Sequence, residues 1–148
     1  MSLEEMRLRN ELESVELASG EIGRLLAAIE RRLQDANNAT NHPETRLEQA
    51  YHAILNCALA ALRMEGLRPT NRPGKHMVTL ESLLDTLGAE SDRVDYFQTL
   101  RELRNQEIYT GSIHISESEI EAAIEAAAWL EKRLESWLEG RGFKDPSQ

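Results

Sequence analysis

Apolar positions recur with a helical period along almost the whole chain. Leu8, Leu12, Val15, Ile22, Leu26, Ile29 and Leu33 follow a three-four spacing, with Ser19 in the one missing place. That phase predicts one long helix from about Glu4 to Asp35. Gly20 supplies the alternative, a kink or break, because glycine inside a helix costs about 1 kcal/mol. The Asn-rich stretch 36–42 has the chemistry of a connector. Pro43 then opens a second helix, with His42 or Asn41 as its cap, running to about Glu65. Gly66 suits the left-handed residue that ends it, with Leu67 able to touch Leu62. Between Ala50 and Leu62 this helix is apolar on nearly every side, which predicts the most buried element of the fold.

The later pattern is similar. Met77, Leu80, Leu83, Leu84 and Leu87 define a short third helix stopped by Gly88. Ser91 and Asp92 start a fourth that ends near Gly111. Ser116 with Glu119, or Ser118 with Glu121, fits a capping box for a fifth, which buries Ile120, Ala123, Ala127, Leu130, Leu134 and Trp137. The expected fold is therefore all-α: an up-and-down antiparallel bundle of four long helices plus one short helix, in one domain spanning 1–148. Its core is expected at about 20–139, with 1–19 as an N-terminal helical extension and 140–148 as a loose tail.

Composition sharpens this picture. Leu, Ala, Glu and Arg dominate, aromatics are few, and β-branched residues never alternate over a useful length. The formal charge of -9 excludes whole-surface attraction to nucleic acid but leaves room for a local basic groove. Such a basic island occurs at Arg63, Arg68, Arg72 and Lys75, where a solvated loop and a phosphate contact are both open readings. The lone Cys57 is expected to be buried as a small hydrophobe. The charged N-terminus is not that of a signal peptide, and no apolar run suffices for a membrane span, so the expectation is a soluble, cytoplasmic protein with no membrane partner.

The residues that carry chemistry cluster in LRELRNQEIYTG, from Leu100 to Gly111. Its apolar stripe runs through Phe97, Leu100, Leu103 and Ile108, and Arg104 shares that side of the helix. A cation aimed at a bundle interior needs a partner, a wet groove or a ligand. The simpler alternative is that Arg104 pairs with Glu107 and reaches solvent. Asn105 and Tyr109 form the adjacent ridge, with Arg101 one turn earlier. On the second helix Tyr51, His52 and Asn56 form a further polar set, read alternatively as Tyr51 in the core and as His52 and Asn56 bonding each other or solvent. The four histidines lack metal-ligand spacing, so neither metal nor cofactor is expected. Phosphate-cradling glycine loops and nucleophile elbows are absent too.

LRELRNQEIYTG, followed after a short loop by SESEIEAAIEAAAWLEKRL, resembles the C-terminal half of a HEPN domain. The AYHAILNCALAALRMEGLRP helix, the Pro-containing loop with nearby His76 and the small leucine-rich helix resemble its central region. The likeness spans roughly Gly20 to Leu138. It implies a helical bundle, usually a homodimer, often encoded beside a nucleotidyltransferase in toxin–antitoxin or defence modules. Many members are metal-independent ribonucleases whose motif is Arg, a polar residue and then His. This chain matches at Arg104 and Asn105, but Tyr109 stands where His is expected, and the nearest histidine is His114. Tyrosine is a poor general base at neutral pH. The resemblance therefore implies a non-catalytic or weakly catalytic component that binds RNA, a nucleotide or an antitoxin-like partner protein. Its candidate catalytic set is Arg104, Asn105 and Tyr109, and its candidate binding set is Arg101, Tyr51, His52, Asn56, Arg72, Lys75 and His76. Cleavage using Arg104 with Tyr109 or His114, and a scaffold without ligand, are the alternatives.

Overall fold

A computed structural model describes residues 2–111 and 114–144, apart from the side chain of Tyr109. Four long helices form an all-α bundle: α2 (Glu21–Asn37), α3 (Pro43–Met64), α5 (Ser91–Thr110) and α6 (Glu117–Gly140). Two short helices, α1 (Leu3–Leu8) and α4 (Lys75–Glu81), and a 3-10 turn at Ser82–Leu84 complete the helical elements among the described residues. As its apolar sequence predicts, α3 is central. It packs on α2, α6, α5 and α4, and Ala50, Tyr51, Ala53, Ile54, Cys57 and Ala58 have no exposure. Burial also pushes the Cys57 thiol well above its ordinary pKa, so it stays protonated. No helix among the described residues is long and apolar enough to cross a membrane.

Several local signals act as the residue types dictate. Pro43 sits in the first turn of α3, where its missing N–H costs nothing. His42 occupies the cap position without a side-chain bond, and Asn41 instead donates to the Asp35 carbonyl. Gly66 adopts the left-handed conformation beyond α3. At α6 the capping box is the Ser116–Glu119 pair, with Oγ of Ser116 accepting from the Glu119 N–H. Along α6, Ile120, Ala123, Ala127, Leu130 and Leu134 are buried as expected, whereas Trp137 is only partly covered, beneath the Arg141 guanidinium 3.9 Å from its ring centre.

The N-terminal third departs from the expected long helix. Helix α1 stops at Leu8, and Asn10 turns left-handed. Residues Leu12–Ser14 then form strand β1, paired antiparallel with β2 (Leu67–Pro69) in the register Leu12 to Pro69, Glu13 to Arg68 and Ser14 to Leu67. The helical phase seen across Leu8, Leu12 and Val15 is thus misleading, since Leu8 is 68% exposed while Leu12 is buried with Met6 against Leu62. The backbone beyond α3 offers unpaired polar groups that this ribbon satisfies. Its reach extends past the strands, through Val15 N–H to the Gly66 carbonyl and Thr70 N–H to the Glu11 carbonyl.

One buried cation holds the ribbon to the bundle. Arg63, 4% exposed, donates to the Glu21 carboxylate and to the carbonyls of Val15, Glu16 and Leu67 at 3.1, 2.9 and 3.0 Å. It is therefore not part of the basic island that the sequence suggested. Arg68 also leaves that island, because it pairs across the ribbon with Glu13 at 2.7 Å. A second buried cation, Arg46, donates to the Ala36 carbonyl and to both oxygens of Glu117, tying α2, α3 and α6 at one end.

Arg63→Met is expected to destabilise the fold by about 2–3 kcal/mol, because it removes at once the charged hydrogen bonds that one buried side chain makes to the Glu21 carboxylate and three carbonyls. The Arg63 hydrogen bond holds the Glu21 carboxyl below its ordinary pKa. That stabilisation is present above the unfolded-state value and lost as pH falls through the depressed one. Urea unfolding against pH should accordingly show a steeper acid-side loss for the wild type than for the variant. Superimposable pH profiles would contradict this role for Arg63.

Candidate functional site

The site lies where α4 and the loop preceding it face α5. The loop carries Asn71, Arg72, Pro73 and Gly74, and Gly74 adopts φ 86°, a left-handed conformation that turns the chain into α4. That turn presents Lys75 and His76 toward Arg101 and Asn105 of α5. Together they line an open groove of about 560 Å³. Arg101 is held by a bond from its Nε to Gln98 Oε1 at 2.8 Å. Gln98 in turn donates to the Met77 carbonyl at 3.0 Å, coupling α5 to α4.

Arg104 does not pair with Glu107. Its Nε reaches across to α3 and contacts Glu48 at 3.2 and 3.3 Å, with a longer 3.5 Å contact from Nη1 to Asn105 Oδ1. Glu48 also binds His52 Nε2 at 2.9 Å, so one carboxylate organises two residues from different helices. Glu48 is the residue that the sequence reading missed. Its signal was available in the four-residue spacing from Glu48 to His52, which puts both on one side of α3. Behind them, Tyr51 Oη lies 3.3 Å from His76 Nδ1, and the Arg104 guanidinium stands 5.9 Å from the Tyr51 ring centre.

Burial, modified by the nearby charges, keeps Tyr51 and His76 neutral. Burial pushes the Tyr51 phenol up to about 12, against the opposing pull of Arg104 and Arg101. Burial first, and then the nearby charges of Arg104, His52, Lys75 and Arg101, hold His76 below its ordinary pKa. A neutral imidazole amid cations is thus stable at neutral pH.

Most residues singled out from sequence converge here: Arg101, Asn105, Arg72, Lys75 and His76 on the groove, with Arg104, Tyr51 and His52 beside it. Others do not. Asn56 is half-buried one turn past His52, and its side chain makes no hydrogen bond among the described residues; of the two readings, His52 and Asn56 bonding each other or solvent, the first gives way to a His52–Glu48 bond. His114 is exposed between α5 and α6 and does not line the groove. Ile108 is 52% exposed, so the apolar stripe of α5 ends at Leu103. Tyr109 belongs to the last turns of α5, but its side chain lies outside the described residues. Among the described residues no three His, Cys, Asp or Glu side chains gather as a metal set.

Comparison with protein-family models, with curated proteins and with solved structures gives no match to this chain. The chemistry of the groove is therefore the guide to function.

Arg104→Gln should raise the His76 pKa toward its ordinary value, only part of the way because burial persists. An NMR titration of the histidine ring protons reads this directly. An unmoved His76 would mean that the Arg104 charge is spent entirely on Glu48.

Proposed function

We propose that this chain is a HEPN-like helical-bundle protein that binds RNA by its phosphate backbone in the groove between α4 and α5. In this reading it is a non-catalytic component of a toxin–antitoxin, nucleotidyltransferase-associated or defence module, acting as a homodimer. One observation carries the binding role. In a protein of net charge -9, Arg72, Lys75 and Arg101 converge on a single open groove, with Arg104 at its back. Clustered cations attract phosphate locally, whatever the charge of distant surfaces. Among the described carboxylates Arg101 meets only the exposed Glu102, at 3.8 Å, and Arg72 spends one N–H on the Arg9 carbonyl without losing its charge.

Strand cleavage is a second reading, favoured by His76. A neutral imidazole in a phosphate-binding groove is suited to accepting a proton from a ribose hydroxyl, while Arg101 stabilises charge on the phosphate. Against it stands the Glu48 carboxylate, which Arg104 must exchange for phosphate before joining the reaction.

Single-stranded RNA should bind with an affinity that falls as salt rises, and Arg101→Ala should reduce the salt slope by about 0.7 for the one lost contact. Binding that ignores both salt and Arg101 leaves only a scaffold. RNA cleavage that survives EDTA but is abolished in both His76→Ala and Arg104→Ala would transfer the assignment to a ribonuclease.

A further inference from the structure

Tyr51 has no exposure, and its hydroxyl reaches one hydrogen-bond partner among the described residues, Nδ1 of His76 at 3.3 Å. A bond between a phenol and an imidazole nitrogen can run in either direction, and the direction decides which ring nitrogen of His76 carries the proton. If Nδ1–H donated to the phenol oxygen, the phenol's own proton would be left in the interior without an acceptor, at the desolvation cost of a buried donor. If the phenol donates, one bond satisfies both groups. Burial pushes the Tyr51 pKa up to about 12, so the donor is present at neutral pH.

The second ring nitrogen agrees. His76 is half-buried and lines the groove beside Lys75, Arg101 and Asn105, and its Nε2 has no partner among the described residues. A lone pair at Nε2 would offer an acceptor to the neighbouring cations. None of them takes it among the described residues: the Nε of Arg101 goes to Gln98 and that of Arg104 to Glu48. An N–H at that position, by contrast, needs an acceptor from outside the chain.

We propose that Tyr51 is a positioning residue, which fixes His76 as the Nε2–H tautomer and so makes it a neutral hydrogen-bond donor to a phosphate oxygen of the strand in the groove. The proposal rests on the RNA-binding role argued above and deepens it. Arg72, Lys75 and Arg101 supply charge, and His76 supplies one directional bond. It also removes the base that strand cleavage needs, because the lone pair of the ring faces Tyr51 and not the groove.

Nitrogen NMR of histidine-labelled protein, at a pH where His76 is neutral, reads the tautomer without any ligand, and the His76→Ala spectrum assigns the signals. Nε2 should show the shift of a protonated ring nitrogen and Nδ1 that of an unprotonated one, and Tyr51→Phe should move the Nδ1 signal by removing its donor. A protonated Nδ1 in the wild type, or His76 signals unmoved in Tyr51→Phe, overturns the assignment. Fluorescence anisotropy with single-stranded RNA then reads the donation. His76→Ala should weaken binding about fivefold, the worth of one hydrogen bond, and His76→Gln, whose amide N–H can stand near the place of Nε2–H, should recover most of that loss. Tyr51→Phe should weaken binding by the wild type but add nothing to His76→Gln, which has no tautomer to fix. Circular dichroism and melting establish that each variant is folded. The wild-type tautomer and the two His76 variants decide the matter even where Tyr51→Phe fails to fold. His76→Gln as weak as His76→Ala overturns the donation, and equal Tyr51→Phe losses in both backgrounds overturn the positioning role. A wild type that shows the Nε2–H tautomer but binds no RNA at low salt overturns the RNA-binding reading and leaves Tyr51 as the residue that places the His76 proton.

Discussion

A guanidinium buried at Arg63 must have nearly all its donors satisfied, and that requirement shapes the N-terminal third of the molecule. Helical backbone keeps its carbonyls for itself, so it has few to offer a neighbouring cation. Chain that has left the helix does have them. Val15, Glu16 and Leu67 turn their carbonyls to Arg63, and Glu21 supplies the countercharge from the first turn of α2. The break at residues 9–20 and the short ribbon beside α3 are thus parts of one solution. A continuous helix there would withdraw the Val15 and Glu16 carbonyls from Arg63.

The candidate site depends on that solution at one remove. Because β1 is held against β2, the residues after Pro69 emerge at a fixed position and run over the end of α1 before turning into α4. Arg72 and Lys75 are consequently exposed, close to Arg101, and not dispersed on a free loop. Glu48 plays the balancing part on α3. It fixes the Arg104 side chain, neutralises some of its charge and holds His52 nearby, leaving the outer cations to dominate the groove. Screening over about 8 Å at physiological salt keeps the acidic faces of the protein from cancelling that local field.

Much of the fold was legible in the chain. The boundaries of α3 follow from Pro43 and Gly66, and the capping box at Ser116 marks α6, because these signals act within a few residues of themselves. The burial of α3 follows from its unbroken apolar run. The site was legible in its parts: Arg104 stands out on an apolar stripe with Asn105 and Arg101 on the adjacent ridge, and Arg72 and Lys75 stand out in a basic island of an acidic protein. Their partners were not legible. Arg104 has a carboxylate three residues away in sequence, yet it binds Glu48, fifty-six residues distant, because α3 supplies that carboxylate across the interhelical contact. Likewise Arg63 and Arg68 share a sequence neighbourhood with Arg72 but end in a buried hub and a cross-strand pair.

By itself, then, the sequence determined what short-range forces decide: the helical class, the caps and stops, the identity of the central helix and the supply of cations. Tertiary structure decided which of those cations are spent on the fold and which remain for a ligand. It also overruled the helical period of Leu8, Leu12 and Val15. Periodicity is a property of one segment, whereas the carbonyls and N–H groups that pair with residues 12–15 as a ribbon belong to a segment more than fifty residues away.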